Sequence, residues 1–148
     1  MARWFMALLA LVLTSCAGAI TEPPEVSLVD LRPVEVNLFE QRMAVVLRIR
    51  NPNDGAISVD GYRFAVELNG KPFAKGMSSD NFTVPRLGEA TSEASATVST
   101  ADLVRQAVGA PKSEKLAYRV HGTLFVPGWT NRNVPFDQTG EIDFGAAR

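Results

Sequence analysis

Along most of the chain, hydrophobic and polar residues alternate with a period of two. Met43, Val45, Leu47 and Ile49 fall on one side of an extended segment, with Arg42, Arg48 and Arg50 on the other. Tyr62, Phe64, Val66 and Leu68 stand against Arg63, Glu67 and Asn69 in the same way. Leu116, Tyr118, Val120, Leu124 and Val126 oppose Arg119, His121 and Thr123. Shorter runs occur at Val26–Leu31, Phe82–Val84, Ala90–Val98 and Glu141–Phe144. Successive strand side chains point to opposite faces, so each run predicts a strand with one buried face. Turn formers punctuate the runs at Asn51-Pro52-Asn53-Asp54-Gly55, Asn69-Gly70 and Pro127-Gly128. Asn69-Gly70 is the chemistry of a two-residue hairpin, because both residue types accept positive φ. One segment departs from the alternation. Ser99 or Thr100 can cap a helix that carries Leu103, Val104, Ala107 and Val108 as its apolar stripe and ends at Gly109 and Pro111. The pattern predicts an all-β sandwich of about seven strands with one short α-helix and no βαβ unit.

The amino terminus obeys a different rule. Arg3 precedes an unbroken apolar run from Trp4 to Leu13, which is shorter than the roughly 20 residues a helix needs to span a bilayer. A charged start, a short apolar stretch and small residues after it form a secretory signal peptide. The chain therefore divides into a signal peptide over 1–15, a tether over 16–24 and a sandwich domain over 25–148. Gly18, Thr21, Pro23 and Pro24 give the tether its irregular character.

The only cysteine lies at the end of the export segment, in Leu13-Thr14-Ser15-Cys16-Ala17-Gly18. This stretch resembles the lipobox of bacterial lipoproteins. The resemblance implies a diacylglycerol thioether on Cys16, cleavage between Ser15 and Cys16, and acylation of the new amine. Two or more acyl chains anchor stably where one is marginal. An ordinary signal peptide cut after Ala17 or Ala19 is the alternative reading. Alanine rather than aspartate at 17 implies, by the same resemblance, the outer membrane of a two-membrane cell, with the domain facing the periplasm.

Composition narrows the function classes. The chain has 148 residues, 15 Lys and Arg against 16 Asp and Glu, one His and one Cys. That length suits one domain. Without residues 1–15 the basic count falls to 14 and the net charge becomes −2. Nucleic acid is then an unsuitable partner, since phosphate neutralisation needs surplus cations. A single cysteine excludes an intrachain disulfide and a Cys-rich zinc site.

A strand ending in Leu47-Arg48-Ile49-Arg50-Asn51-Pro52-Asn53, followed by Gly61-Tyr62, the Asn69-Gly70 turn, Lys75-Gly76 and the small-polar strand Ala90–Ser99, resembles the type 2 late-embryogenesis-abundant (LEA) family. That family includes the water-stress and hypersensitive-response domain. The resemblance covers residues 26–144. It implies a fold similar to fibronectin III and immunoglobulin sandwiches, and a role in desiccation, cold or other water stress. Protection of client proteins and binding of lipids or apolar molecules between the sheets are the implied activities. No family site residues transfer to this chain. Asn51-Pro52-Asn53 also has a local explanation as a strand terminator, because Pro52 cannot donate to a ladder and Asn53 tolerates left-handed backbone.

Little else points to chemistry. His121, the single histidine, falls on an outward strand face, and no nucleophile elbow, zinc-protease motif or phosphate loop occurs. Asp137, Glu141 and Asp143 lie near one another in sequence, with Ile142 and Phe144 alternating inward; this predicts solvated charges rather than an acid–base pair. Arg42, Arg48, Arg50, Arg63 and Arg119 could form a basic strip or be scattered surface charge. Trp129, after Pro127-Gly128, could be a binding-loop aromatic or a plug over the core. A lipid carrier would need a gap lined by residues such as Phe64, Leu124 and Phe144. The expectation is a non-enzymatic envelope protein without cofactor, metal or catalytic residues, with a lipid or apolar-ligand carrier or a structural subunit of an envelope complex as the alternatives. Its expected partners are the membrane, through the anchor, and client proteins or lipids.

Overall fold

The alternating runs become nine strands in the computed structural model, which describes residues 21–36, 40–99, 101, 102, 104, 108, 115–129 and 133–143. They are β1 (Glu25–Val36), β2 (Glu40–Arg50), β3 (Ile57–Val59), β4 (Gly61–Leu68), β5 (Lys71–Ser78), β6 (Phe82–Val84), β7 (Glu89–Ser99), β8 (Lys115–Phe125) and β9 (Asn133–Asp143). Seven of them form one antiparallel sheet in the order β1-β2-β7-β5-β4-β8-β9, and β3 pairs with β6. The all-β expectation holds. The two layers are halves of a single curled sheet, β1-β2-β7 and β5-β4-β8-β9, and β9 comes back into contact with β1.

The seam between the halves is narrow. Strand β5 meets β7 at only Lys75–Thr97 and Gly76–Ala96. Gly76 is required there, since a Cβ would lie 2.5 Å from the Ser95 carbonyl oxygen and 2.8 Å from Cζ of Phe64. Tyr62 bridges the halves from inside. It is fully buried on β4 and its hydroxyl meets Ser92 Oγ of β7 at 2.9 Å. Burial raises the Tyr62 pKa, and the bond to Ser92 opposes that rise.

The inward rows are those the alternation marks. Val45, Leu47, Ile49, Tyr62, Val66, Val120, Leu124 and Val126 are all essentially inaccessible. Strand β1 changes phase from Val26 and Leu28 to Leu31 because a bulge follows Leu28; Val29, the extra residue, is turned outward. A second bulge places Val34 at the surface. The hairpin at Asn69-Gly70 forms as expected, with φ of 50° and 73°.

Strand β3 lies outside the sequence runs, and β9 extends well beyond the run read at Glu141–Phe144. Three residues of β3 are too few to show a period. Strand β9 starts at Asn133, where Pro135 and Gly140 interrupt its alternation. In the β7–β8 connection Ala101, Asp102, Val104 and Val108 are helical. Ser99 Oγ accepts from the Asp102 N–H at 3.2 Å and donates to the Asp102 carboxylate at 2.7 Å, the expected cap. Leu103, Ala107, Gly109 and Pro111 lie outside the described residues.

Candidate functional site

Polar groups gather in two places, one at an end of the sheet and one on its outer face. At the end, strand β2 runs into Asn51-Pro52-Asn53. Asn51 and Asn53 are 1% and 4% exposed. Asn51 Nδ2 donates to the carbonyls of Gly55 at 2.7 Å and Pro85 at 3.0 Å. Its Oδ1 accepts from the backbone N–H of Asn53 at 2.9 Å and from Asn53 Nδ2 at 3.0 Å. Asn53 Oδ1 accepts the N–H groups of Thr21 and Glu22, both at 2.8 Å, and its Nδ2 donates to the Glu22 carbonyl at 2.8 Å. Backbone bonds run from Asn51 N to Gly88 O and from Leu87 N to Asn53 O.

This hub corrects one detail of the sequence reading. Asn53 does not adopt left-handed backbone; the described non-glycine residues that do are Asn69 and Leu87. The local turn is closed by the side chain of Asn51, which frees Asn53 to hold a segment more than 30 residues away in sequence. The amides cannot ionise and satisfy backbone groups that would otherwise be buried without partners, so the arrangement is structural. Pro24 is buried just beyond the Thr21 and Glu22 contacts.

The outer face of β4, β8 and β9 carries the second group. Arg119 donates twice to Asp137, from Nε at 2.8 Å and from a terminal nitrogen at 2.6 Å. Glu67 approaches Arg119 at 3.6 Å and His121 Nε2 at 3.4 Å. Hydrogen bonding from Arg119 holds the Asp137 carboxyl below the usual aspartate range, and the same bond raises Arg119. Asp137 is therefore an ion-pair partner. Glu141 stands apart on the exposed outer face of the same strand, and the side chain of Asp143 lies outside the described residues.

Beside this network a groove of about 570 Å³ crosses β4, β5 and β7, bordered by Ala65, Glu67, Phe73, Lys75, Thr97 and His121. It combines an apolar floor with charged edges. Phe64 and Leu124, expected to line a gap between the sheets, instead pack into the continuous core at 4% and 0% exposure. Phe144, the third such residue, lies outside the described residues.

The basic strip resolves into pairs. Arg42 meets Glu35 at 3.5 Å, Arg48 meets Glu89 at 3.7 Å, and Arg50 meets Glu25 at 3.5 Å. Arg63 points Nε at Thr123 Oγ1, 3.5 Å away. Trp129 is half-buried and packs against the core, so it plugs rather than projects, and its backbone N–H donates to the Val126 carbonyl at 3.3 Å. Among the described residues no cluster of His, Cys, Asp and Glu could hold a metal, and no helix is long and apolar enough to cross a membrane. Ser15 and Cys16 lie outside the described residues.

A solved structure with a similar fold accompanies this architecture. A solution structure of an Arabidopsis thaliana protein superposes with a TM-score of 0.64 at 19% identity, covering 84% of this chain and 83% of that one. A crystal structure from Archaeoglobus fulgidus matches at TM-score 0.47 and 21% identity, over 79% of this chain and 97% of that one. No curated protein sequence matches. The late embryogenesis abundant protein family, LEA_2, matches residues 46–140, a stretch that begins within β2, contains the Asn51–Asn53 hub and ends in β9. With that match spanning most of the sandwich, the chain belongs to the LEA_2 family.

Proposed function

We propose that this LEA_2 chain is a lipid-anchored, non-enzymatic envelope protein that contributes to water-stress tolerance. It would do so by weak, reversible contact with client proteins or membrane surfaces. The observation that carries the reading is the pairing of a family domain over residues 46–140 with Leu13-Thr14-Ser15-Cys16 directly after an export segment. The Cys16 thiol is the nucleophile suited to thioether formation, and the small residues before it give a protease access to the backbone. Anchoring concentrates a weakly binding sheet surface at the membrane. In a two-membrane cell the expected address is the outer membrane, facing the periplasm.

The test is complementation of a deletion strain with the wild-type or Cys16→Ala chain, scored for acyl labelling and for survival after drying. Wild type should take up label, fractionate with membranes and restore survival; Cys16→Ala should do neither of the first two. Unchanged labelling of Cys16→Ala would remove the anchor. Survival of the deletion strain equal to its parent would remove the stress role.

A second reading, an apolar-ligand or lipid carrier, is favoured by the groove that Ala65 and Phe73 floor. Native mass spectrometry of the purified domain should then retain a co-purifying lipid that a bulky Ala65→Trp change displaces.

A further inference from the structure

The turn that connects β6 to β7, Pro85-Arg86-Leu87-Gly88, contains a local conflict. Leu87 has φ of 49° and is 67% exposed. Left-handed backbone is costly for a branched apolar side chain, and glycine or asparagine would occupy the position with less strain. Asn69, the other described non-glycine residue at positive φ, is of the tolerant type. Leu87 thus carries a backbone cost and an unburied apolar side chain at one position. It is also firmly held: its N–H donates to the Asn53 carbonyl at 2.9 Å, and the Gly88 N–H donates to the Pro85 carbonyl at 3.1 Å.

Asn53 is the residue that clasps Thr21 and Glu22. The Leu87 turn and the entry point of the amino-terminal segment are therefore neighbours at the same end of the sheet. Five residue steps separate Cys16 from Thr21. At roughly 3.3–3.6 Å per residue, five steps span at most about 18 Å whatever their conformation. An acyl group on Cys16 then holds this end of the domain next to the bilayer. Arg86 is paired with Asp54 at 3.4 Å, so the turn offers no unmatched cation for anionic head groups. Its apolar tip is the feature that fits a lipid interface.

We propose that the Pro85–Gly88 turn seats Leu87 in the interfacial layer of the bilayer, fixing the sandwich end-on at the membrane with the groove and the Arg119–Asp137 network toward the far end of the strands. This rests on the lipid-anchor reading and adds an orientation to it. Contact is apolar, so it forms on zwitterionic lipid and persists at high salt.

The test uses the full acylated chain, in which the Cys16 sulfur is blocked and an introduced thiol is the sole labelling site. An environment-sensitive fluorophore is placed at Leu87→Cys, at Arg86→Cys and, in the β7–β8 connection at the other end of the strands, at Val108→Cys. Each protein is reconstituted into dioleoylphosphatidylcholine vesicles with or without shallow doxyl-lipid quencher. The labels at 86 and 87 should shift to the blue and be quenched, equally at low and high salt, while the label at 108 stays water-like. Acylated protein in which 87 and 108 are equally unquenched, or equally quenched, would overturn the orientation and leave the anchor standing. Protein whose Cys16 carries no lipid by mass spectrometry would overturn both.

Discussion

The Asn51–Asn53 hub and the Arg119–Asp137–Glu67–His121 network are both dense sets of polar contacts, yet the physics assigns them different weights. The hub is neutral, buried and almost wholly directed at backbone groups. Removing a member strands donors and acceptors away from water, and each such loss costs about 1–3 kcal/mol. The outer network is charged and shorter in its bonds, but both Arg119 and Asp137 are about half exposed, and water and salt replace what a mutation removes. Short distance is therefore a poor guide to energetic weight; burial and the identity of the stranded partner decide it.

The largest expected effect lies in the hub. Asn51→Ala leaves the Pro85 and Gly55 carbonyls and the Asn53 N–H without their side-chain partner, and should lower unfolding stability by about 3 kcal/mol, read by denaturant titration. Asn53→Ala should cost less, about 2 kcal/mol, because its partners belong to the edge segment Thr21–Glu22, where water can enter. Hydrogen exchange should then quicken at residues 21–22 selectively. Equal costs for the two substitutions would show that the amino-terminal segment is as integral as the β6–β7 turn.

A smaller effect of opposite sign is expected at Leu87. Leu87→Gly relieves the left-handed strain and should raise stability by about 0.5–1 kcal/mol in the unanchored domain, measured as an increase in Tm. A decrease would mean that Leu87 packs against the hub in the folded state. The gain in stability should accompany a loss of membrane contact, which separates the structural role of Asn53 from the surface role of its neighbour.

Asp137→Asn should alter stability least at neutral pH and should change its pH dependence instead. The folded Asp137 pKa lies below the ordinary aspartate value of about 3.9. Its contribution is therefore present above that value and is lost as pH falls through the depressed folded pKa. The wild type should lose this increment in acid, and Asp137→Asn should not. High salt should shrink the difference. A large loss at neutral pH would place the outer network on a par with the hub and end the comparison.

The sequence reading and the structure agree where a feature is local and repeated. The rows through Leu47, Val66 and Val120, the Asn69-Gly70 hairpin and the Ser99 cap each depend on neighbours within a few residues. The β1 bulges, the Trp129 plug and the pairing of Arg48 with Glu89 depend on contacts far along the chain, and no spacing reports them. Asn51-Pro52-Asn53 lies between these cases: Pro52 announces that a strand ends, but not that the two flanking amides bind residues 21–22 and 85. The strained turn at Leu87 carries no sequence signal, because Arg-Leu-Gly is unremarkable until its φ is known.

By itself the sequence determined that the protein is all-β, which side of each long strand is buried, and that Leu13-Thr14-Ser15-Cys16 closes an apolar run. Those properties follow from the two-residue period and from short contiguous motifs. Only the tertiary structure decided that the layers are one curled sheet joined at Gly76, that the Asn hub clasps the amino-terminal segment, and that Leu87 stands exposed beside it. Each of these is set by which distant strands share hydrogen bonds, and the chain expresses that choice only when its buried faces have to close on one another.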